Sequence, residues 1–182
     1  MRPIRVLFAH AAGHTPNDPP LPRLRRALGP GFQIDAPDLG APDPAVWTSK
    51  LSAALTAPRA PSILVGHSLG GSELLRVIAT HHPRFSAAGF VGLGVPLWGM
   101  PDWPYEAFML PDGAAKALSG LDRIVFFGSA DDDVVDPSHL PAWRDRLPRA
   151  RTVETHGNGH IFDRGAIAPV LLELRRMAGM PK

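Results

Sequence analysis

The chain has 182 residues, no cysteine, and 19 basic against 17 acidic residues for a net charge of +2. That length suits a single domain over residues 1–182 with a real core, and the missing cysteines exclude a disulfide framework, a thiolate nucleophile and a cysteine-ligated metal. The near-balanced charge, with arginines in short groups such as Arg23-Arg25-Arg26 and Arg175-Arg176, reads as solvated helix faces and argues against a nucleic-acid partner.

In chain order, Ile4 to Ala9 is an apolar run that predicts a buried strand, followed by the loop His10-Ala11-Ala12-Gly13-His14. A weak helix is expected over Leu21 to Leu28 and a second strand over Phe32 to Ala36, closed by Pro37-Asp38-Leu39-Gly40. Asp43-Pro44 opens a helix that runs to Leu55, with the aspartate as N-cap and proline at the first position. Ser62 to Gly66 is a third strand, and Leu69 to Ala79 forms a breaker-free apolar helix that ends at His81-His82-Pro83. Further strands are expected over Ala87–Leu93, Ile124–Phe127 and Thr152–Glu154, a helix from near Pro137, and an amphipathic last helix with Ile167, Val170, Leu171, Leu174 and Met177 on one face. The stretch from Gly94 to about Asp112 reads as a loop. Six strands alternating with helices predict an α/β fold with one mostly parallel sheet covered on both faces. No stretch has the apolar length of a signal peptide or a membrane span, so a soluble, cytoplasmic protein with no membrane partner is expected.

The third strand stops abruptly at Gly66-His67-Ser68-Leu69-Gly70, the Gly-x-Ser-x-Gly pattern of a nucleophile elbow. The serine of such an elbow sits on a sharp turn between strand and helix, where side chains two residues to either side collide, and glycine removes them. The helix start also supplies free amides and the positive end of the dipole, so the Leu69 amide is placed to stabilise an oxyanion. Ser68 follows the third strand, Asp131-Asp132-Asp133 the fifth and His160 the sixth, and in parallel sheets functional groups gather at these carboxyl ends. A serine hydroxyl becomes a competent nucleophile once an imidazole takes its proton and a carboxylate orients that imidazole. Of the other histidines, His67 reads as structural, His10 as ordering the first loop, and His81 and His82 as helix-end residues. His156 and His160 share an i, i+4 spacing, but Gly157 and Gly159 disfavour the helix that a metal pair would need, so neither a metal nor a cofactor is expected.

His10-Ala11-Ala12-Gly13, Pro37-Asp38-Leu39-Gly40, Gly66-His67-Ser68-Leu69-Gly70-Gly71, Gly128-Ser129-Ala130-Asp131 and Gly159-His160 together resemble the successive signatures of the α/β-hydrolase superfamily. The short length and the Trp47 helix are most similar to the small serine hydrolases related to retinoblastoma-binding protein 9 and the YdeN group. The resemblance implies Ser68 as nucleophile, His160 as general base, an aspartate after the fifth strand as its partner, and the Ala12 and Leu69 amides as the oxyanion hole. For the acid, counting from the strand through Gly128-x-x-Asp131 ranks Asp131 first, whereas counting back from Val134-Val135 favours Asp132. Two departures stand out: the usual His-Gly of the first loop is His10-Ala11, and the two leading strands of larger members are missing. Residues 95–111 hold six large apolar groups, among them Trp98 and Trp103, and are too short for a large cap. They predict either the wall of a shallow pocket for small or medium esters or thioesters, or packing under a long loop. An interaction protein on the same fold, with a protein partner, and an acyltransferase are the alternatives.

Overall fold

The structure, a computed structural model, describes residues 2–165 and 167–180. Six strands, β1 (Ile4–Ala9), β2 (Phe32–Asp35), β3 (Ile63–His67), β4 (Gly89–Leu93), β5 (Ile124–Ser129) and β6 (Arg151–Thr155), form one sheet in the order β2-β1-β3-β4-β5-β6. Every pairing is parallel. The helices are α1 (Leu21–Leu28), α2 (Pro44–Leu55), α3 (Leu69–His81), the single turn α4 (Ala114–Ala117), α5 (His139–Arg146) and α6 (Ala168–Met177).

Successive strand residues point to opposite faces, and this splits the core in two. Leu7, Ala9, Leu64, Phe90 and Phe126 face α2, α3 and α5, together with the fully buried Trp47 and Trp143. Val6, Phe8, Val65, Val91, Leu93, Val125 and Phe127 face α1 and α6. Strands with both faces covered are apolar almost throughout, which is why the runs at 4–9, 63–67 and 124–127 are readable in the sequence. The Asp43 side chain caps α2 by accepting from the Val46 amide at 2.8 Å.

Several element bounds differ from the sequence expectation by one or two residues. β4 begins at Gly89 and not Ala87, which forms an isolated bridge to Leu121. A Cβ at Gly89 would lie 2.6 Å from the Arg123 carbonyl, so glycine permits the close approach of β4 to the segment leading into β5. β5 continues through Gly128 and Ser129, paired with Glu154 and Thr155. The loop after β4 contains an antiparallel bridge between Met100 and Trp103 and a 3-10 turn at Glu106–Phe108.

The packing that places the third-strand turn is tight. A Cβ at Gly66 would meet the Gly71 Cα at 2.2 Å, and one at Gly70 would meet the His10 carbonyl at 2.3 Å. α3 therefore rides directly on the carboxyl ends of β1 and β3, and its first residue follows Ser68 without a spacer.

Candidate active site

Ser68 joins β3 to α3 with φ 52° and ψ −131°, one of two non-glycine residues with positive φ among the described residues. Such a backbone costs on the order of 1–3 kcal/mol and persists only where the surroundings enforce it. The enforcement is visible: the Ser68 amide donates to the Leu93 carbonyl at 2.9 Å, and the glycines at 66 and 70 admit no side chain.

His160 comes to Ser68 from the turn after β6. Its Nε2 lies 3.0 Å from Ser68 Oγ, and its Nδ1 lies 3.0 Å from both carboxylate oxygens of Asp132. A carboxylate only accepts, so the Nδ1 proton points at Asp132 and the Nε2 lone pair is left to accept from the serine hydroxyl. The Asp132 side chain is fully buried and that of His160 is 11% exposed. Asp132 is itself fixed, its Oδ1 accepting from the Val134 and Val135 amides at 2.9 and 2.8 Å.

Of the two registers, the structure places Asp132, and not the Asp131 that the strand-side count ranks first, against His160. Because β5 runs on to Ser129, the turn starts two residues later than Phe127 would place it, and consecutive side chains then diverge. Asp131 turns onto the backbone of the turn that carries His160: its Oδ1 accepts from Gly157 N at 2.9 Å, from Gly159 N at 3.3 Å and from Ser129 Oγ. The Ser129 hydroxyl, followed by the Gly159 and Gly157 amides, holds the Asp131 carboxyl below the ordinary carboxylate range. Asp133 is exposed.

Leu69 is the first residue of α3, and the first amides of a helix have no partner within it. Ala12 is exposed in the β1–α1 turn that His14 N closes on Ala11 O at 3.2 Å. Ala11, where the resemblance leads one to expect glycine, is buried at 4% exposure. His10, fully buried, orders this loop: Nδ1–H donates to Ala11 O at 2.8 Å and Nε2 accepts from the Leu39 amide at 2.8 Å.

Of the two tryptophans named as pocket wall, Trp98 lines a groove of about 320 Å³ with Leu97, Met100, Met109, Leu110 and Arg146. Trp103 stands behind it, 4.8 Å from Trp98 and edge-on to His139 at 5.5 Å. His156 is exposed and takes no part in the site.

Two contributors escape sequence reasoning. Gly94 follows β4 with φ 54°, and a Cβ there would sit 3.1 Å from Asp132 Oδ2 and 3.2 Å from His160 Nδ1, so glycine alone leaves room for the pair. The signal was available, a glycine at the carboxyl end of the strand beside the elbow. His67 is fully buried and its Nε2–H donates to the His160 carbonyl at 2.9 Å; no sequence signal pairs residues 93 apart in this way.

Comparison with known proteins agrees with this fold. The family described as "Serine hydrolase" matches residues 21–165, well over half of the chain. No curated protein matches the sequence. Among solved structures, the ydeN gene product from B. subtilis superposes with a TM-score of 0.79 at 20% identity, covering 97% of this chain and 99% of that one. The esterase RhEst1 from Rhodococcus sp. ECU1013 gives 0.69 at 17% identity over 98% and 92%, and the mouse alpha/beta hydrolase domain-containing protein 10 gives 0.71 at 14% over 96% and 89%. These likenesses establish the α/β-hydrolase fold.

Proposed function

We propose that this chain, which belongs to the serine hydrolase family, cleaves small or medium carboxylic esters through an acyl-enzyme on Ser68. The observation that carries the reading is the unbroken hydrogen-bonded line from the buried Asp132 through His160 to a serine held at positive φ.

In this reading Ser68 Oγ attacks the ester carbonyl carbon while its proton passes to His160 Nε2. The carbonyl oxygen takes the negative charge, facing the Leu69 and Ala12 amides at the start of α3 and in the first loop. His160 then gives its proton to the departing alkoxide, and the C–O bond breaks to leave the acyl group on Ser68. Water repeats the sequence: its proton goes to His160, its oxygen adds to the acyl carbon, and Ser68 leaves with the proton returned. Asp132 stays ionised throughout and stabilises the imidazolium. Thioesters fit the same steps with a thiolate as leaving group. The groove beside Trp98, apolar apart from Arg146 and Asp112, is the surface this reading offers to an acyl chain of modest length.

The test is steady-state hydrolysis of a p-nitrophenyl ester series by the wild type and Ser68→Ala. Removal of the nucleophile is expected to cost roughly 10⁴ or more in kcat. A Ser68→Ala protein with near-wild-type turnover contradicts the mechanism.

A further inference from the structure

His67 precedes the nucleophile in the chain and bonds to the backbone of the base. Its ring is wholly buried, lies 5.3 Å from the His160 ring, and sends Nε2–H to the His160 carbonyl at 2.9 Å. The contacts close a circuit: His67 to Ser68 through one peptide bond, His67 to His160 through this hydrogen bond, and His160 to Ser68 through the 3.0 Å contact between Nε2 and Oγ. The turn that carries His160 is otherwise tied through the Gly157 and Gly159 amides to Asp131 and through the Asn158 amide to Ser129, and its glycines both have positive φ and no side chain of their own to pack.

The other ring nitrogen argues that packing is not the reason for a histidine here. His67 Nδ1 is buried and has no partner among the described residues, an unfavourable state that a phenylalanine of similar volume would avoid. What histidine offers over phenylalanine is the single donor that reaches His160. That donor is permanent, because burial, ahead of every other influence, holds the imidazole down at about 3 and keeps it neutral with its proton on Nε2. The hydrogen bond to the His160 carbonyl comes next and acts against burial, as the Asp132 carboxylate does more weakly, while the His160 ring and the His14 ring, 5.6 Å away, act with it.

We propose that His67 is a positioning residue for the hydrolysis, indexing the His160 imidazole between Ser68 and Asp132 through the His160 carbonyl. The inference rests on the ester-hydrolase reading above. Misplacement of a reacting group by about 1 Å costs on the order of 10²-fold, so loss of this tether has a measurable consequence for chemistry without touching substrate.

The experiment compares wild type, His67→Phe and His67→Gln by kcat and KM on one p-nitrophenyl ester and by the second-order rate of modification by a fluorophosphonate, with folding checked by thermal denaturation. Gln keeps an N–H at similar reach. The expected result is a fall of about ten- to a hundredfold in kcat and in labelling rate for His67→Phe, with KM within about twofold. His67→Gln is expected to stay within about threefold of wild type in both rates. If His67→Phe does not fold, His67→Gln decides alone. Wild-type rates in folded His67→Phe, or a tenfold or greater loss in folded His67→Gln, overturn the positioning role. A wild type inert to both ester and probe overturns the ester-hydrolase reading itself, and the role of His67 with it.

Discussion

Replacing Asp132 by asparagine separates two aspartates that are adjacent in sequence and opposite in consequence. The Val134 and Val135 amides both donate to Asp132 Oδ1, so an asparagine keeps its carbonyl oxygen there and presents its NH₂ where Oδ2 was, 3.0 Å from His160 Nδ1. Where Nδ1 accepts from that NH₂ and no longer donates to Oδ1, which is also 3.0 Å away, the imidazole proton moves to Nε2. That proton now points at Ser68 Oγ, 3.0 Å away, and the ring has no lone pair with which to take the serine's proton. In this arrangement a wrong tautomer lowers turnover by roughly 10² to 10⁴, equivalent to about 3 to 5 kcal/mol of transition-state stabilisation. Asp131→Asn differs because Oδ1 alone serves the Gly157, Gly159 and Ser129 donors, and an amide oxygen can replace it. The expected loss there is less than about tenfold, in keeping with an uncharged acceptor on the same donors. The assay is kcat on one p-nitrophenyl ester at one pH for both variants. A larger loss in Asp131→Asn than in Asp132→Asn refutes the assignment.

Two further outcomes follow from the packing. Trp98→Ala is expected to shift the acyl-length preference by about 1 to 3 kcal/mol for chains that reach the groove while sparing acetyl esters, with Trp103→Ala acting in the same direction through the support it gives Trp98; an unchanged chain-length profile in both variants makes the loop packing alone. His67 also bears on acid stability: it is neutral when folded and takes a proton when unfolded below its ordinary value of 6.5, so the unfolded chain binds more protons and stability falls as pH drops from 6.5 towards about 3. The slope from this one group is on the order of 1 kcal/mol per pH unit, and urea midpoints at pH 7, 6 and 5 should fall more steeply for wild type than for His67→Phe; parallel curves contradict it.

The parts of this fold that the sequence discloses are those where burial leaves one choice of residue type. Strands covered on both faces must be apolar, so β1, β3 and β5 announce themselves, and the elbow needs glycine at 66 and 70 because backbone lies within 2.3 Å of any added carbon. Asp43-Pro44 marks the start of α2 because capping is local. What stays hidden depends on how far a strand continues. Gly128 and Ser129 look like the turn after β5, yet pairing with Glu154 and Thr155 keeps them in the sheet, and this moves the His160 partner from Asp131 to Asp132. The count back from Val134 and Val135 leads to the carboxylate that bonds His160 because those two amides hold Asp132 directly. α4, at four residues, is too short for periodicity to register, and the contacts of Gly94 and His67 with the His160 turn join segments distant in sequence.

The central claim, that Ser68 is a nucleophile activated by His160, is tested most directly by a fluorophosphonate probe followed by peptide mass spectrometry. The account predicts a single adduct mapped to Ser68 in the wild type, abolished in Ser68→Ala and strongly slowed in His160→Ala. An adduct on another residue, or labelling that survives in Ser68→Ala, contradicts it.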